Sequence, residues 1–405
     1  MRPSFQPDRL ARLRDWADAY VEREELPCIA VLVGDRDGDC FEHYSGVAGP
    51  SAGVIGPDTL LRIYSMTKPV TGVALLQLVE EGALHLDDPI GAYLPELADL
   101  RVLTGGSFHG IDSEPARPVT IRHLATHTSG MTYDFFPHDP VASLYRDAGV
   151  TGGLPAPKHG TLEQWTRALG QLPLGAQPGV RWQYSVGMDV LGRLVEVLRG
   201  RRFGEVVEER ILAPLGMRDT AFWAPEERAS RLAALHRRKA DGGLEVIDPG
   251  GAESPLAKPA KIDFGGGGLL STLSDYARFA RALLRGGELD GERILGRKSV
   301  ELMASNHLPA ALTPAQGAAP ITSLSSMLWF LGAAFGITVA VTEIPARDGV
   351  PGSVGAFGWG GAASTQFWVD PHEGLFALQA TQFLPSGTYP LRPQLRALAP
   401  HALDS

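Results

Sequence analysis

Ser65 and Lys68 stand three residues apart in the segment Ile63-Tyr64-Ser65-Met66-Thr67-Lys68-Pro69-Val70, which leads into an apolar run over 73–79. That run predicts a buried helix. At a spacing of three, two side chains share one helix face, so the Lys68 amine can reach the Ser65 hydroxyl. A serine at a helix N-terminus faces the positive end of the helix dipole, which stabilises a developing alkoxide. A partly desolvated lysine can be neutral often enough to accept a proton, which turns a weak nucleophile into a useful one. The pair therefore offers acyl transfer through a serine ester. Its bland alternative is a capping serine followed by a surface lysine, since Ser-x-x-Lys alone recurs by chance in long chains.

Other chemistry-bearing patterns fare worse. Gly49-Pro50-Ser51-Ala52-Gly53 matches the G-x-S-x-G nucleophile elbow, but an elbow needs a strand before it and a helix after it, and Pro50, Gly53, Gly56 and Pro57 read as loop. His123 and His127 sit four apart without the HExxH glutamate or a third ligand, so they read as packed or capping histidines and no metal is expected. The acids of 35–39 suggest a calcium loop, yet its sixth and twelfth positions fall on Cys40 and Gly46. Ser274-Asp275-Tyr276 mimics a Ser-Asp-Asn element but reads as a helix start. Lys158-His159-Gly160 mimics Lys-Thr-Gly but precedes the tyrosine motif it should follow. Gly265 to Gly268 lacks the Lys-Ser/Thr of a phosphate loop, and no cofactor is implied.

The elements that position these residues follow from periodicity. Residues 8–22 carry Leu10, Leu13, Trp16, Ala17 and Tyr20 at helical spacing, and 28–34 and 40–45 read as a hairpin around the Asp37-Gly38 turn. From about 85 to 265 helical patterns at 161–172, 185–198 and 203–215 alternate with Pro/Gly-rich connections. Ser274 is the expected N-cap of a helix closed by Gly286-Gly287. Strand-like runs return near 335–342, 364–370 and 374–381, before a last helix at 391–400. Strands at both ends around a helical middle predict one sheet built from both termini: residues 1–85 and 266–405 form an α/β domain, with 86–265 inserted as a helical domain.

Composition bounds the function. The chain has 405 residues, 44% apolar and 20% charged, which is enough for a large core. Its 37 basic and 46 acidic residues give −9 with no Lys/Arg-rich run, which excludes the electrostatic footprint of a nucleic-acid binder. The uncharged run over 308–342 is densest at 327–341, too short and too glycine-interrupted for a membrane span, and reads as buried strand. Two cysteines, Cys28 and Cys40, make no disulfide framework. The first residues lack the apolar stretch of a signal peptide, so a cytoplasmic location is expected.

Residues 59–74 resemble the nucleophile segment of the serine β-lactamase and penicillin-binding-protein superfamily. Two partner motifs follow in that superfamily's order: Tyr184-Ser185-Val186 within 179–192, and Trp359-Gly360-Gly361 within 357–370. The segments 121–131, 214–219 and 267–272 are similar to its structural stretches. The finer resemblance is to family VIII carboxylesterases, which share the class C β-lactamase fold. This implies a β-lactamase/DD-peptidase-like α/β (α+β) fold, an antiparallel sheet flanked by helices plus an inserted all-helical domain. Carried over, the resemblance makes Ser65 the nucleophile, Lys68 and Tyr184 the proton carriers, the Ser65 and Ala362 backbone N–H groups the oxyanion hole, and Trp359, Gly360 and Gly361 the substrate-binding strand.

Class C enzymes and cell-wall peptidases carry Tyr-x-Asn and Lys-Thr-Gly. This chain lacks that lysine, which should weaken binding of anionic β-lactams and peptide C-termini and favour neutral esters. The expected activity is hydrolysis of small short-chain carboxylic esters. On the same scaffold the alternatives are β-lactam or amide hydrolysis, acyl transfer, and a catalytically silent binding protein, against which all three reactive side chains speak.

Overall fold

Cys28 to Val33 alternate between two apolar cores, and this alternation organises the computed structural model, which describes residues 5–107, 110–152, 158–240, 242–313 and 333–403. The main sheet comprises β1 (Cys28–Asp35), β2 (Asp39–Gly49), β3 (Gly53–Val54), β4 (Ala333–Phe335), β5 (Ala340–Thr342), β6 (Phe357–Gly361), β7 (Thr365–Asp370) and β8 (Leu375–Ala380). Every residue of β1 is buried. Cys28, Ala30 and Leu32 face one core, while Ile29, Val31 and Val33 face the other. Successive side chains of a strand point to opposite faces, so an unbroken apolar strand demands cover on both.

The helices that matter for the site are α1 (Pro7–Glu22), α2 (Thr67–Glu80), α3 (Gly187–Arg199), α4 (Leu273–Leu284) and α5 (Leu391–His401). Leu13 and Ala17 of α1 and Leu391, Leu395 and Ala399 of α5 cover one face of the sheet. Tyr276 and Phe279 of α4 join the core on the other. Helix α2 is buried continuously from Thr67 to Leu78, as a helix apolar on all sides must be.

The sheet runs β4-β5-β6-β7-β8-β1-β2-β3 with antiparallel neighbours. Ala30 of β1 lies opposite Ala380 of β8, so one sheet is assembled from both ends of the chain. Between β1 and β2 the Asp35 carboxylate accepts the N–H groups of Asp37 and Gly38 at 2.7 and 2.9 Å, so that acid serves the turn.

Two expectations are corrected. The segment 86–265 holds helices at Leu162–Leu169 and α3, but it is not purely helical. Arg101–Ser107 pairs with Gly110–Pro115, and Leu235–Arg238 pairs with Leu244–Asp248. The first hairpin escapes pattern reading because its second strand is polar and its first carries Gly105 and Gly106. The N-cap of α4 is Thr272, whose Oγ1 accepts the Asp275 N–H at 3.1 Å, and Ser274 lies inside the helix. The apolar run over 308–342 falls partly at 314–332, outside the described residues; its described remainder forms β4 and β5 as the only strands there. No helix among the described residues is long and apolar enough to cross a membrane. Cys28 and Cys40 form no disulfide, and burial pushes the Cys28 thiol up to about 12.

The strand residues leading to Ser65 are pinned by a buried cation. The Arg62 guanidinium lies 2.6 Å from the Asp248 carboxylate and donates to the Ala233 carbonyl, while its own backbone N–H donates to Gln382 Oε1 at 3.0 Å. Arg62→Ala leaves Asp248 without its partner and is expected to lower stability by about 3–5 kcal/mol, read by urea unfolding. A loss below about 1 kcal/mol, the scale of an exposed pair, would contradict this account.

Candidate active site

Ser65 sits in the tight turn Tyr64–Met66 at the mouth of α2. Tyr64 has φ 44°, the left-handed region that a bulky residue occupies only under constraint. Pro69 is tolerated in the first turn of α2 because its missing N–H would have had no helical partner. Lys68, buried in that same turn, places Nζ 3.0 Å from Ser65 Oγ and donates to the Gly266 carbonyl at 2.6 Å. Tyr184 Oη lies 2.5 Å from Ser65 Oγ on the other side. The three side chains that sequence reasoning selected are therefore in mutual contact.

Tyr184 is held by a layer of rings. His127, Tyr133 and Trp359 stand 4.7, 5.0 and 5.8 Å from it, centroid to centroid. The Lys68 ammonium lies over the Tyr184 and Tyr133 rings at 4.6 and 5.3 Å, where their π-faces attract a cation. His127 is buried, and burial assisted by the Lys68 charge keeps it well below the usual histidine range. Its Nδ1 accepts the Ser185 N–H at 3.2 Å, so the neutral ring is a structural neighbour of the tyrosine. His123 Nδ1 accepts the Thr120 N–H in a capping box. Phe135 stacks on Tyr133 at 4.8 Å and lines a cavity of about 800 Å³ together with Phe136, Val141 and Arg181.

Strand β6 closes the site from the sheet side. Trp359, Gly360 and Gly361 are buried, with Trp359 packed edge-on to Phe335, and Ala362 is exposed just beyond the strand end. A Cβ on Gly361 would meet the Ile63 carbonyl at 2.3 Å, so only glycine lets β6 come this close to the nucleophile turn. Beneath the strand the buried Arg392 of α5 donates to the Gly361 and Thr365 carbonyls at 2.8 and 3.5 Å, which fixes the hairpin end that carries Ala362. Burial pulls the Arg392 guanidinium down to about 10, with the Tyr184 hydroxyl opposing.

Sequence reasoning missed Arg392, Tyr133 and Asp189. Asp189, in the first turn of α3, is buried, and burial raises its carboxyl to about 6 although the Lys68 charge pulls the other way. Burial, then the charges of Asp189 and Tyr184, push Tyr133 far above the usual tyrosine range. The set-aside patterns lie elsewhere: Ser51 is in the exposed turn between β2 and β3, and Ser274 to Tyr276 lie in the first turn of α4.

A serine hydroxyl between an amine and a phenol, at a helix mouth and beside a close-approaching strand, can surrender its proton, attack a carbonyl and return the proton to a leaving group. Fold and site together define a serine hydrolase of the β-lactamase/DD-peptidase type. Residues 13–400 match the model of the Beta-lactamase family, and the chain belongs to it. An uncharacterised protein of Mycobacterium tuberculosis is 37% identical over 334 residues, 81% of this chain and 78% of its own length. Esterase EstB of Burkholderia gladioli is 32% identical over 379 residues, 90% and 87% of the two chains. Among solved structures, one described as EstCE1, a hydrolase with promiscuous acyltransferase activity, aligns with TM-score 0.79 at 25% identity, covering 97% of this chain and 98% of that one.

Gly361→Ala is expected to push β6 off the nucleophile turn and lower kcat/KM for esters by about 10²-fold, the cost of misplacing a reacting group by about an ångström. Steady-state kinetics on folded protein checks this, and an unchanged rate would show that β6 has slack against Ile63.

Proposed function

We propose that the protein is a family VIII carboxylesterase that hydrolyses short-chain esters of neutral acids through an acyl-enzyme on Ser65. The observation that carries this reading is the placement of Lys68 Nζ and Tyr184 Oη on the same Ser65 oxygen. Ser65 Oγ bonds to the ester carbonyl carbon while its proton passes to Lys68 or Tyr184. The oxyanion is received by the backbone N–H groups of Ser65 and Ala362, and fixed donors of this kind are worth about 2.7–4 kcal/mol each. Tyr184 protonates the departing alkoxide as the carbon–oxygen bond breaks. Water then adds to the acyl carbonyl, the acid leaves, and the proton returns to Ser65.

The substrate class follows from β6. Where the superfamily's peptidases carry a lysine, this strand presents Trp359, Gly360 and Gly361, and the Trp359 ring packs against Tyr184 and Phe335. Arg392, a cation behind the strand, is occupied by the Gly361 and Thr365 carbonyls. A neutral acyl group suits this surface better than a carboxylate. Acyl transfer to an alcohol is the second reading, because the similar EstCE1 is described as having promiscuous acyltransferase activity.

Ser65→Ala should lower kcat/KM for p-nitrophenyl butyrate by roughly 10⁴-fold or more, the scale of losing a nucleophile. Ser51→Ala should leave it within about twofold, because a turn residue away from the site contributes no transition-state contact. The wild type should turn over this ester far faster than a chromogenic cephalosporin. Preference for the cephalosporin, or survival of activity in Ser65→Ala, overturns the proposal. Butyl ester formed in the presence of 1-butanol measures the second reading.

A further inference from the structure

The buried acid Asp189 has no part in the mechanism above, yet a single residue, Gly266, links it to Lys68. Its Oδ1 accepts the Gly266 N–H at 2.7 Å, and the carbonyl of that same residue accepts Lys68 Nζ at 2.6 Å. Its Oδ2 is buried without a hydrogen-bond partner among the described residues. A Cβ on Gly266 would stand 2.8 and 2.9 Å from the two carboxylate oxygens and 2.7 Å from Tyr133 Oη, so a side chain at 266 would separate these groups. An unpartnered carboxylate oxygen in a buried site is costly to maintain and has no structural purpose that the surrounding contacts supply.

We propose that Asp189 is a positioning residue for the Ser65 reaction: through Gly266 it orients the Lys68 amine at Ser65, and its negative charge sets the pH at which the proton carriers around Ser65 become competent. The inference rests on the acyl-enzyme reading of Ser65. The Asp189 carboxylate fixes Gly266 through its N–H, and the carbonyl that Gly266 presents to the Lys68 amine is held in place with it. The carboxylate sits near the N-terminus of α3, where the dipole favours its ionised form. The titratable groups facing it are Lys68 from α2, and Tyr133 and Asp134 from the loop after His127; Tyr184 and His127 face Lys68 in turn.

The sign of the charge effect is the same for either proton acceptor. A nearby negative charge holds a proton on an ammonium and on a phenol alike, so removing it lets either give up its proton at lower pH. Burial also raises Asp189 itself to about 6, which adds its own protonation to the acid side of the wild-type profile. Both contributions disappear in Asp189→Asn, and the acid limb of kcat/KM moves to lower pH.

The test is the pH profile of kcat/KM on p-nitrophenyl butyrate for wild type and Asp189→Asn, alongside the pH dependence of fluorophosphonate labelling of Ser65, which counts only folded sites. Expected is a fall in kcat of about tenfold, consistent with a misoriented proton carrier, little change in KM, and an acid limb displaced downward in both measurements. Should Asp189→Asn not fold, Asp189→Ala is labelled with and without formate, and formate accelerates labelling if a carboxylate is what the site lacks. A limb that coincides with that of wild type, or labelling of Asp189→Ala indifferent to formate, overturns the inference. Failure of the wild type itself to label at Ser65 would instead sink the acyl-enzyme reading.

Discussion

A buried amine at the mouth of a helix is the constraint on which this structure turns. Lys68 has left water, and an amine can do so only where its hydrogen bonds are replaced. One replacement is Ser65 and the other is the carbonyl of Gly266, 198 residues further along the chain. The rest of α2's first turns serve the same junction: Thr71 Oγ1 donates to the Gly265 carbonyl at 2.7 Å, and Thr67 Oγ1 accepts the Leu269 N–H at 3.1 Å. Residues 67, 68 and 71 lie along one side of the helix, so α2 stitches the segment 265–269 onto the turn that carries Ser65. Tyr276 of α4 adds a bond from its hydroxyl to the Met66 carbonyl at 2.8 Å.

The sheet supplies the opposite wall, and it does so by leaving out side chains. Backbone approach between β6 and Ile63 replaces side-chain packing at Gly361, and the carbonyls at this hairpin end are satisfied by Arg392 from the covering helix α5. The cation behind the strand thus holds a backbone in place. It does so from the far face of the sheet, so that α5, remote from Ser65 in sequence, becomes part of what fixes Ala362. Two buried basic side chains with different tasks result: Lys68 meets the Ser65 oxygen, and Arg392 fixes the strand beside it.

How much of this could be read from the sequence depended on whether a residue's partners are local. Ser65 and Lys68 were legible because their relation is three residues of helix ahead of an apolar run. Tyr184 came from motif order alone, since nothing in 179–192 says which segment it faces. Asp189 was illegible for a physical reason: in the amphipathic pattern of α3 an acid in the first turn reads as a solvated residue favoured by the dipole, and only the packing of 265–268 against it reveals burial. Arg392 was hidden in the same way, as a basic residue in a terminal helix whose exposed face would ordinarily carry it. The strands at Arg101–Ser107 and Gly110–Pro115 lack the apolar alternation that marks a half-buried strand, and their pairing is carried by backbone hydrogen bonds.

The interposed residue Gly266 also keeps a buried carboxylate from direct contact with the Lys68 amine. A carboxylate in direct contact with the amine would hold the proton on nitrogen, since attraction between unit charges grows steeply as they approach and a low-dielectric site magnifies it. With Gly266 between them, Asp189 is kept off the amine, whose own contacts are a neutral carbonyl and the Ser65 hydroxyl. Two neighbouring tyrosine rings, from 133 and 184, face the amine without offering it a permanent counter-ion.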